Sequence, residues 1–267
     1  MKRPASETTN TVHVRREGPI LFVTINRPEV RNAVDGLTAQ KLYEAFVAFE
    51  SDPNASVAIL SGKGDAFCAG ADLKAMATGD REKLRTRGGI GSLAPMGPSR
   101  LSLSKPVIAA IEGPAVAGGM ELALWADLRV VGKGGYFGVY CRRFGVPLID
   151  LGTIRLPRLI GQSRAIDLIL TGRTVDTAEA YAIGLANRIA EKGQSLDAAV
   201  ELAKQLISFP QGCMRADRAS VLKQWSLTEE EAIAFELEGG LKVIASGESL
   251  TGASAFSQGK GKHGSFD

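Results

Sequence analysis

Two short, wholly apolar segments, each followed by a glycine-rich stretch, constrain the fold of this chain most strongly. The apolar segments are Val57 to Leu60 and Val107 to Ile111, and the glycine-rich stretches are Cys68 to Asp72 and Ala117 to Glu121. A strand that is apolar on both faces suits a buried position in a parallel sheet. Bare backbone N–H groups at strand ends lie where α/β proteins usually bind ligands. The pattern therefore predicts a parallel sheet with a ligand site at one edge.

The remaining pattern places strands and helices in the first part of the chain and mainly helices in the last third. Strands and helices alternate up to about Gly161, which favours crossover units and an α/β fold. The predicted elements are a hairpin of Val12 to Arg16 and Ile20 to Ile25, helices over 37–50 and 118–125, and a strand over 128–131. Later segments are helical at 164–170, 177–182, 196–207, 214–225 and 228–245, with a strand-like stretch at 186–190. Residues 78–104 show weak periodicity and are expected to form a mobile helix-and-loop segment that covers a site.

Charge and composition exclude several classes of function. The 267 residues include 32 Lys and Arg against 29 Asp and Glu, a net charge of +3, so no large positive field favours a nucleic-acid partner. The two histidines, His13 and His263, lie near opposite ends, which leaves no His-centred triad and no His-rich metal site. The most apolar region, Val107 to Val131, is interrupted by Gly, Pro and acidic residues. We therefore expect no metal and no membrane association.

The cysteines indicate a reducing compartment. Cys68, Cys141 and Cys213 are three in number, widely spaced and without a CxxC pair, which does not suit a disulfide framework. The first residues carry basic side chains without an apolar stretch behind them, so they do not resemble a secretory leader. Both observations predict a cytoplasmic protein.

The second glycine-rich stretch, Ala117 to Glu121, could form part of a catalytic site. If a helix begins at Gly118, its free N–H groups lie at the positive end of the helix dipole and can bind a developing oxyanion. Glu121 follows three residues later, on the same helical face. The alternative is that Glu121 simply occupies a first turn, where acidic residues are favoured anyway. Spacing alone leaves both interpretations open.

Several motifs together resemble the crotonase, or enoyl-CoA hydratase/isomerase, superfamily. They are Asn26-Arg27-Pro28 with Asn32-Ala33, then Ala66 to Leu73, Lys105 to Gly113, and Gly118 to Ala123. The resemblance extends from about Val12 to Ala255-Phe256. It implies a crotonase-like fold of repeated ββα units over residues 1–200. A C-terminal helical region over 201–267 would then trimerise and cover the pocket, often within a dimer of trimers.

The resemblance also implies roles for particular residues. Substrates would be acyl-CoA thioesters, so CoA arrives with the substrate and no further cofactor is expected. The N–H groups of Ala71 and Gly118 would form the oxyanion hole, and Glu121 would move a proton at the acyl chain or at water. Three residues match positions that line the CoA channel, with ordinary core packing as the alternative for each: Ala33, Ala69 and Leu73.

One position departs from the hydratase pattern. Hydratases carry a second glutamate about twenty residues after the first, and this chain has Cys141 there. A thiol, with an ordinary pKa near 8.5, is a poor substitute for a carboxylate that holds and activates water. Cys141 is therefore either a small buried apolar group or a thiol that takes part at the acyl site.

Asp150 is the candidate replacement for the missing carboxylate. With a one-residue gap, Gly145 to Thr153 resembles the region where dienoyl-CoA isomerases place a catalytic aspartate. The alternative is that Asp150 caps a short helix starting at Leu151. If Glu121 and Asp150 both face the acyl chain, one can protonate what the other deprotonates.

These observations predict a lyase or isomerase that acts on an acyl-CoA thioester through an oxyanion-stabilised enolate. Hydration of an enoyl-CoA in fatty-acid or related acyl-CoA metabolism is the first hypothesis. Enoyl- or dienoyl-CoA isomerisation, thioester hydrolysis and decarboxylation are alternatives, as is a CoA-ester binding protein without turnover. Large apolar residues in the last third, among them Val221, Leu222, Trp225 and Leu237, favour a homo-oligomer, a trimer or a dimer of trimers.

Overall fold

The computed structural model describes residues 10–78 and 89–261. In chain order, the elements up to the middle of the chain are β1 (Val12–Glu17), β2 (Ile20–Ile25), α1 (Gly36–Ser51), β3 (Val57–Gly62), α2 (Leu73–Ala77), β4 (Val107–Ile111), β5 (Pro114–Val116), α3 (Gly118–Trp125), β6 (Leu128–Gly132) and β7 (Tyr136–Gly138). The elements that follow are α4 (Gly152–Ile160), α5 (Gln162–Thr171), β8 (Thr174–Asp176), α6 (Thr177–Ala182), β9 (Arg188–Ala190), α7 (Ser195–Ser208), α8 (Gln211–Lys223), α9 (Glu229–Ala245) and α10 (Glu248–Ser257).

The strands form two sheets. The larger has six strands in the order β1-β2-β3-β4-β6-β9, and the smaller has three in the order β5-β7-β8. Strands β1 and β2 pair antiparallel around Gly18, whose φ of +55° suits the turn. From β2 to β9 the larger sheet is parallel. The predicted hairpin and the buried parallel positions of β3 and β4 are confirmed.

Successive turns of the chain repeat a ββα pattern. Strand β4 lies in the larger sheet, β5 lies in the smaller one, and α3 follows. The preceding turn has the same order, because β3 is followed by a parallel bridge from Cys68 to Ala115 of β5 and then by α2. This repetition brings the segments after β3 and β4 side by side at one edge of the fold.

Helix α1 packs its predicted apolar face into the core. Leu42, Phe46 and Phe49 recur at three- and four-residue spacing and are almost fully buried. The ring of Phe46 meets that of Trp125 edge to face at 4.7 Å between centroids, which joins α1 to α3. The buried ammonium group of Lys105 donates to the carbonyl of Phe49 at 2.7 Å and so satisfies an acceptor in the last turn of α1.

Some elements were not predicted. Strands β5, β7 and β8 have three residues each and show no periodicity, and helix α10 lies in a segment with turn-forming residues. Helix α4 appeared in the sequence only as the alternative in which Asp150 caps a helix from Leu151, and it begins one residue later, at Gly152. The expectation for residues 78–104 needs correction where it can be examined, since 79–88 lie outside the described residues. From Ala94 the segment packs into the fold instead of forming a loose loop: Met96 is 1% exposed and Ser99 is 0% exposed, whereas Ile90 is 90% exposed. Pro95 and Met96 lie against the cleft described below, as expected of a segment that covers a site.

The described residues divide into two compact units, one up to Lys204 and one from Gln205. The second unit contains α8, α9 and α10, with α8 packed on α9. Several of its large apolar side chains are exposed, including Val221, Leu222, Leu237, Leu241 and Ile244. Among the residues that the structure describes, no helix combines the length and the apolar character needed to cross a membrane.

Candidate active site

A cleft opens at the edge where β3 and β4 end. Most of its wall is apolar, and the ionisable side chains in it are Glu121, Asp150, Tyr140 and Cys141. The other lining residues are Ala69, Ala71, Leu73, Met76, Pro95, Met96, Ala117, Gly118, Phe144, Val146, Pro147 and Ile149. Both glycine-rich stretches thus reach the same cleft, as the strand pattern predicts.

The two glycine-rich stretches approach each other closely because Gly70 lacks a side chain. Its φ of +95° is a left-handed conformation. A Cβ atom there would lie 2.9 Å from Cβ of Ala117 and 3.0 Å from the nitrogen of Gly118. Any side chain at position 70 would therefore separate the backbone of Ala71 from that of Gly118.

Local pairing leaves the N–H of Ala71 unused. Val34 donates to the carbonyl of Gly70 at 2.8 Å and accepts from the N–H of Asp72 at 2.9 Å. This parallel bridge engages the residues on either side of Ala71, so the N–H of Ala71 points the other way. Arg27 braces the same segment through an ion pair of 3.0 Å with Asp72.

Gly118 supplies the second free N–H. It is the first residue of α3, where an N–H has no acceptor within the helix. The preceding Ala117 adopts φ +53° and ψ −127°, a sparsely populated backbone conformation that costs roughly 1–3 kcal/mol for a residue other than glycine. Neither Ala71 nor Gly118 donates its N–H to another group within residues 10–78 and 89–261. Two such donors at a helix N-terminus can stabilise an oxyanion.

Glu121 is held by a neighbouring loop rather than by its own helix. Its Oε1 atom accepts from the N–H of Asp150 at 2.9 Å and from the N–H of Gly152 at 2.8 Å. Both donors converge because Leu151 between them adopts φ +70°. Glu121 is 3% exposed. Its burial and the charge of Asp150 raise the pKa of Glu121 to about 8. The interpretation of Glu121 as merely a first-turn acid does not explain these contacts.

Asp150 faces the same cleft and is 2% exposed. Its Oδ1 atom accepts from the N–H of Met96 at 3.0 Å and from the hydroxyl of Ser99. Burial raises the pKa of Asp150, against the opposing effect of the Ser99 hydrogen bond. The alternative N-cap role is wrong: α4 begins at Gly152 after Leu151, and no side chain caps it.

Cys141 lies in the cleft wall, within the 3-10 turn Tyr140–Phe144, and is 8% exposed. Burial, together with the charge of Glu121, raises the pKa of this thiol. The group is therefore neutral at physiological pH and cannot replace a carboxylate as a proton acceptor. It is both a small buried group and a neighbour of Glu121.

Two of the three residues predicted to line the CoA channel lie in the wall of the cleft. Ala69 and Leu73 line the cleft, whereas Ala33 does not. Ala33 is buried, and its carbonyl accepts from Arg27 at 2.6 Å, which agrees with its core alternative. Ser99 and Arg155, which contact Asp150, were not predicted from the sequence, since neither lies in a recognisable motif. No group of metal-binding side chains occurs in the part of the chain that the structure describes.

Comparison with known proteins agrees with this architecture. Residues 15–263 match the model of the enoyl-CoA hydratase/isomerase family. The enoyl-CoA hydratase EchA19 of Mycobacterium tuberculosis is 36% identical over 255 residues, with 92% of each chain covered. A carnitinyl-CoA dehydratase of Salmonella paratyphi A is 34% identical over 256 residues, with 94% of this chain and 96% of that protein covered.

Solved structures show the same fold. A crystal structure of an enoyl-CoA hydratase from Mycobacterium tuberculosis matches with a TM-score of 0.85 at 35% identity, covering 93% of this chain and 96% of that one. The crystal structure of enoyl-CoA hydratase EchA1 from Mycobacterium marinum matches with a TM-score of 0.86 at 34% identity and the same coverage.

These matches define an enzyme with the crotonase fold, and they confirm the predicted α/β class. The chain belongs to the enoyl-CoA hydratase/isomerase family. The prediction that it is an enzyme of lyase or isomerase type is confirmed at the level of this family.

Proposed function

We propose that this enzyme catalyses the reversible addition of water to the double bond of a 2-enoyl-CoA thioester. The observation that carries the proposal is the arrangement of Glu121 and Asp150 in one cleft with the free N–H groups of Ala71 and Gly118. The similarity to proteins named as an enoyl-CoA hydratase and a carnitinyl-CoA dehydratase supports chemistry of this type.

In this proposal the N–H groups of Ala71 and Gly118 bind the thioester carbonyl oxygen. Addition of water at the β-carbon moves electrons onto that oxygen and forms an enolate, so hydrogen bonds to it strengthen in the transition state. Loss of one such donor typically costs about 3 kcal/mol of barrier. The carbonyl of the thioester then reforms as the α-carbon takes a proton.

Glu121 and Asp150 would share the proton transfers. With a pKa near 8, Glu121 is largely protonated at pH 7 and can give a proton to the α-carbon. Burial raises the pKa of Asp150, but the two hydrogen bonds that one of its oxygens accepts oppose this effect, and in its ionised form Asp150 can take a proton from the attacking water. In the reverse reaction the same groups would exchange roles.

Isomerisation of the double bond is the second candidate, and Cys141 favours it. By the family resemblance, Cys141 stands where hydratases carry their second glutamate, and its neutral thiol, which lines the cleft, cannot help to activate water. Moving a double bond needs only that one carboxylate remove a proton and that a proton return at another carbon. The buried pair of Glu121 and Asp150 could carry out that exchange without water.

Turnover of defined substrates tests the proposal. We would follow the absorbance of the enoyl-thioester with crotonyl-CoA and with a medium-chain 2-enoyl-CoA, and measure the mass of the product. A gain of one water molecule that disappears in Glu121→Gln supports hydration. Glu44→Gln, on the exposed side of α1, is the matched control. Product of unchanged mass from 3-enoyl or dienoyl substrates, without hydration, would establish isomerisation instead.

The proposal extends to cofactor, assembly and compartment. CoA would enter as part of the substrate, and the acid–base chemistry described needs no further cofactor.

Exposed apolar side chains on α8 and α9 support a homotrimer or a dimer of trimers, which sedimentation analysis would test. Three free cysteines support a reducing, cytoplasmic location. The pathway would be fatty-acid or related acyl-CoA metabolism.

A further inference from the structure

Ser99 is a fully buried polar residue that the proposed chemistry leaves without a role. It lies in the 3-10 turn Pro98–Arg100 and is 0% exposed. Its hydroxyl donates to Oδ1 of Asp150, and the backbone N–H of Met96 donates to the same oxygen. A buried hydroxyl that donates to a carboxylate stabilises the charged form of that carboxylate and fixes its orientation.

Arg155 contacts the backbone of both Ser99 and Asp150. Its guanidinium donates to the carbonyl of Ser99 at 2.7 Å and to the carbonyl of Asp150 at 3.3 Å. One planar guanidinium therefore bridges the backbone of the two residues. The Ser99–Asp150 contact joins segments 51 residues apart in sequence, so it is a feature of the tertiary structure alone.

The charged groups around the cleft act differently on the two carboxylates. The charge of Asp150 disfavours a second charge on Glu121 of α3, so the two groups do not easily both ionise in a buried cleft. Arg155 from α4 and Arg100 from the turn that holds Ser99 favour the ionised form of Asp150. The two Oδ1 donors to Asp150 include a hydroxyl, whereas the donors to Glu121 among the described residues are backbone N–H groups.

We propose that Ser99 is a positioning residue: its hydroxyl fixes the Asp150 carboxylate beside Glu121 and selects Asp150 as the anion of the pair. Glu121 then keeps the proton and is ready to donate it. The assignment of Asp150 as base and Glu121 as acid rests on the proposed function, whereas the Ser99–Asp150 hydrogen bond is observed independently of it. Ser99 touches neither the acyl group nor the thioester in this role, and it acts through Asp150.

The experiment compares Ser99→Ala with Ser61→Ala. Ser61 is also buried and makes one side-chain hydrogen bond, to Thr24 at 3.0 Å, but it lies outside the cleft lining. The pH profile of kcat/KM for a 2-enoyl-CoA is measured for both variants. We expect the fall of kcat/KM at low pH to move to higher pH by about one unit in Ser99→Ala, and not in Ser61→Ala.

A second measurement does not depend on turnover. Infrared difference spectroscopy follows ionisation of the Asp150 carboxylate in the free enzyme, with Asp150→Asn used to assign the band. The midpoint is expected to rise in Ser99→Ala and, to a smaller extent, in Ser99→Cys, whose thiol preserves volume but donates weakly. An unchanged midpoint in folded variants would overturn the proposal, even if activity fell. A shifted midpoint in an enzyme that hydrates no enoyl-CoA would support the role of Ser99 and reject the proposed reaction.

Discussion

The backbone N–H of Asp150 donates to Oε1 of Glu121 at 2.9 Å, so the two acidic residues of the cleft are linked through main chain as well as through charge. The link fixes the loop after the 3-10 turn Tyr140–Phe144 against α3. It also means that a change in the side chain of Asp150 leaves the support of Glu121 in place. The two carboxylates can therefore be examined separately by substitution.

Replacing Glu121 by Gln should abolish most of the activity without loss of the fold. The amide oxygen of Gln can still accept the N–H groups of Asp150 and Gly152, but it cannot transfer a proton. General acid–base catalysis typically contributes 10²- to 10⁴-fold, so we expect kcat to fall by roughly that factor. Steady-state kinetics on an enoyl-CoA would check this. A kcat close to that of the parent would remove Glu121 from the mechanism.

Replacing Asp150 by Asn should lower the pKa of Glu121 from its value of about 8. The charge of Asp150 disfavours a second charge on Glu121, and Asn removes that charge at similar volume. Titration of Glu121 by carboxyl-labelled NMR would detect the shift, with Asp176→Asn, at the exposed end of β8, as the control. A pKa that stayed the same would show that burial alone raises it.

Stability should fall as the pH rises through the titration of Glu121. The pKa of the Glu121 carboxyl is about 8 in the folded state, against an ordinary value of 4.5 that applies to the unfolded chain. Between these two pH values the folded protein holds one proton on Glu121 that the unfolded chain has lost. Its contribution is therefore fully present below about pH 4.5 and is lost as the pH rises toward 8, by about 1.4 kcal/mol for each unit of pKa difference. Urea denaturation across this range should show a flatter profile for Glu121→Gln.

Replacing Gly118 by Ala should impair catalysis more than folding. A Cβ atom at position 118 would lie 2.5 Å from Sδ of Met96, which is itself buried and lines the cleft, so either the Met96 side chain or the start of α3 must move. Displacing an oxyanion donor costs on the order of 10²-fold in kcat. Gly252→Ala in α10, where a Cβ atom meets nothing within 4 Å, is the control. Equal activity in both variants would argue against an oxyanion role for Gly118.

Replacing Asn32 by Ala should destabilise the protein by about 2–4 kcal/mol. Its fully buried amide accepts from the N–H of Arg27 at 2.9 Å and donates to the carbonyls of Lys63 and Ala66 at 3.0 and 2.7 Å. These bonds join the loop after β2 to the loop after β3. The free energy of unfolding would measure the loss, and exposed Asn54→Ala should be nearly neutral.

The sequence by itself determined the elements that have a local signature, either a continuous apolar run or apolar residues at helical spacing. The apolar runs of β3 and β4, the spacing of Leu42, Phe46 and Phe49 in α1, and the glycines after the strands depend on neighbours close in sequence. The resemblance of these motifs to a known family then supplied the fold. Local patterns and motifs were sufficient to predict these elements, because the conformation of each depends on a few consecutive residues.

The acid pair depended on tertiary structure. From the sequence, Asp150 is as consistent with a helix cap as with a catalytic role. In the folded chain Leu151 is left-handed and α4 begins at Gly152, and the carboxylate of Asp150 accepts from Ser99 instead of capping the helix. The raised pKa of Glu121 likewise comes from burial and from a charge 29 residues away in sequence. Desolvation and contact between distant segments exist only in the folded chain, so the sequence named candidate acids and the packing determined their environment.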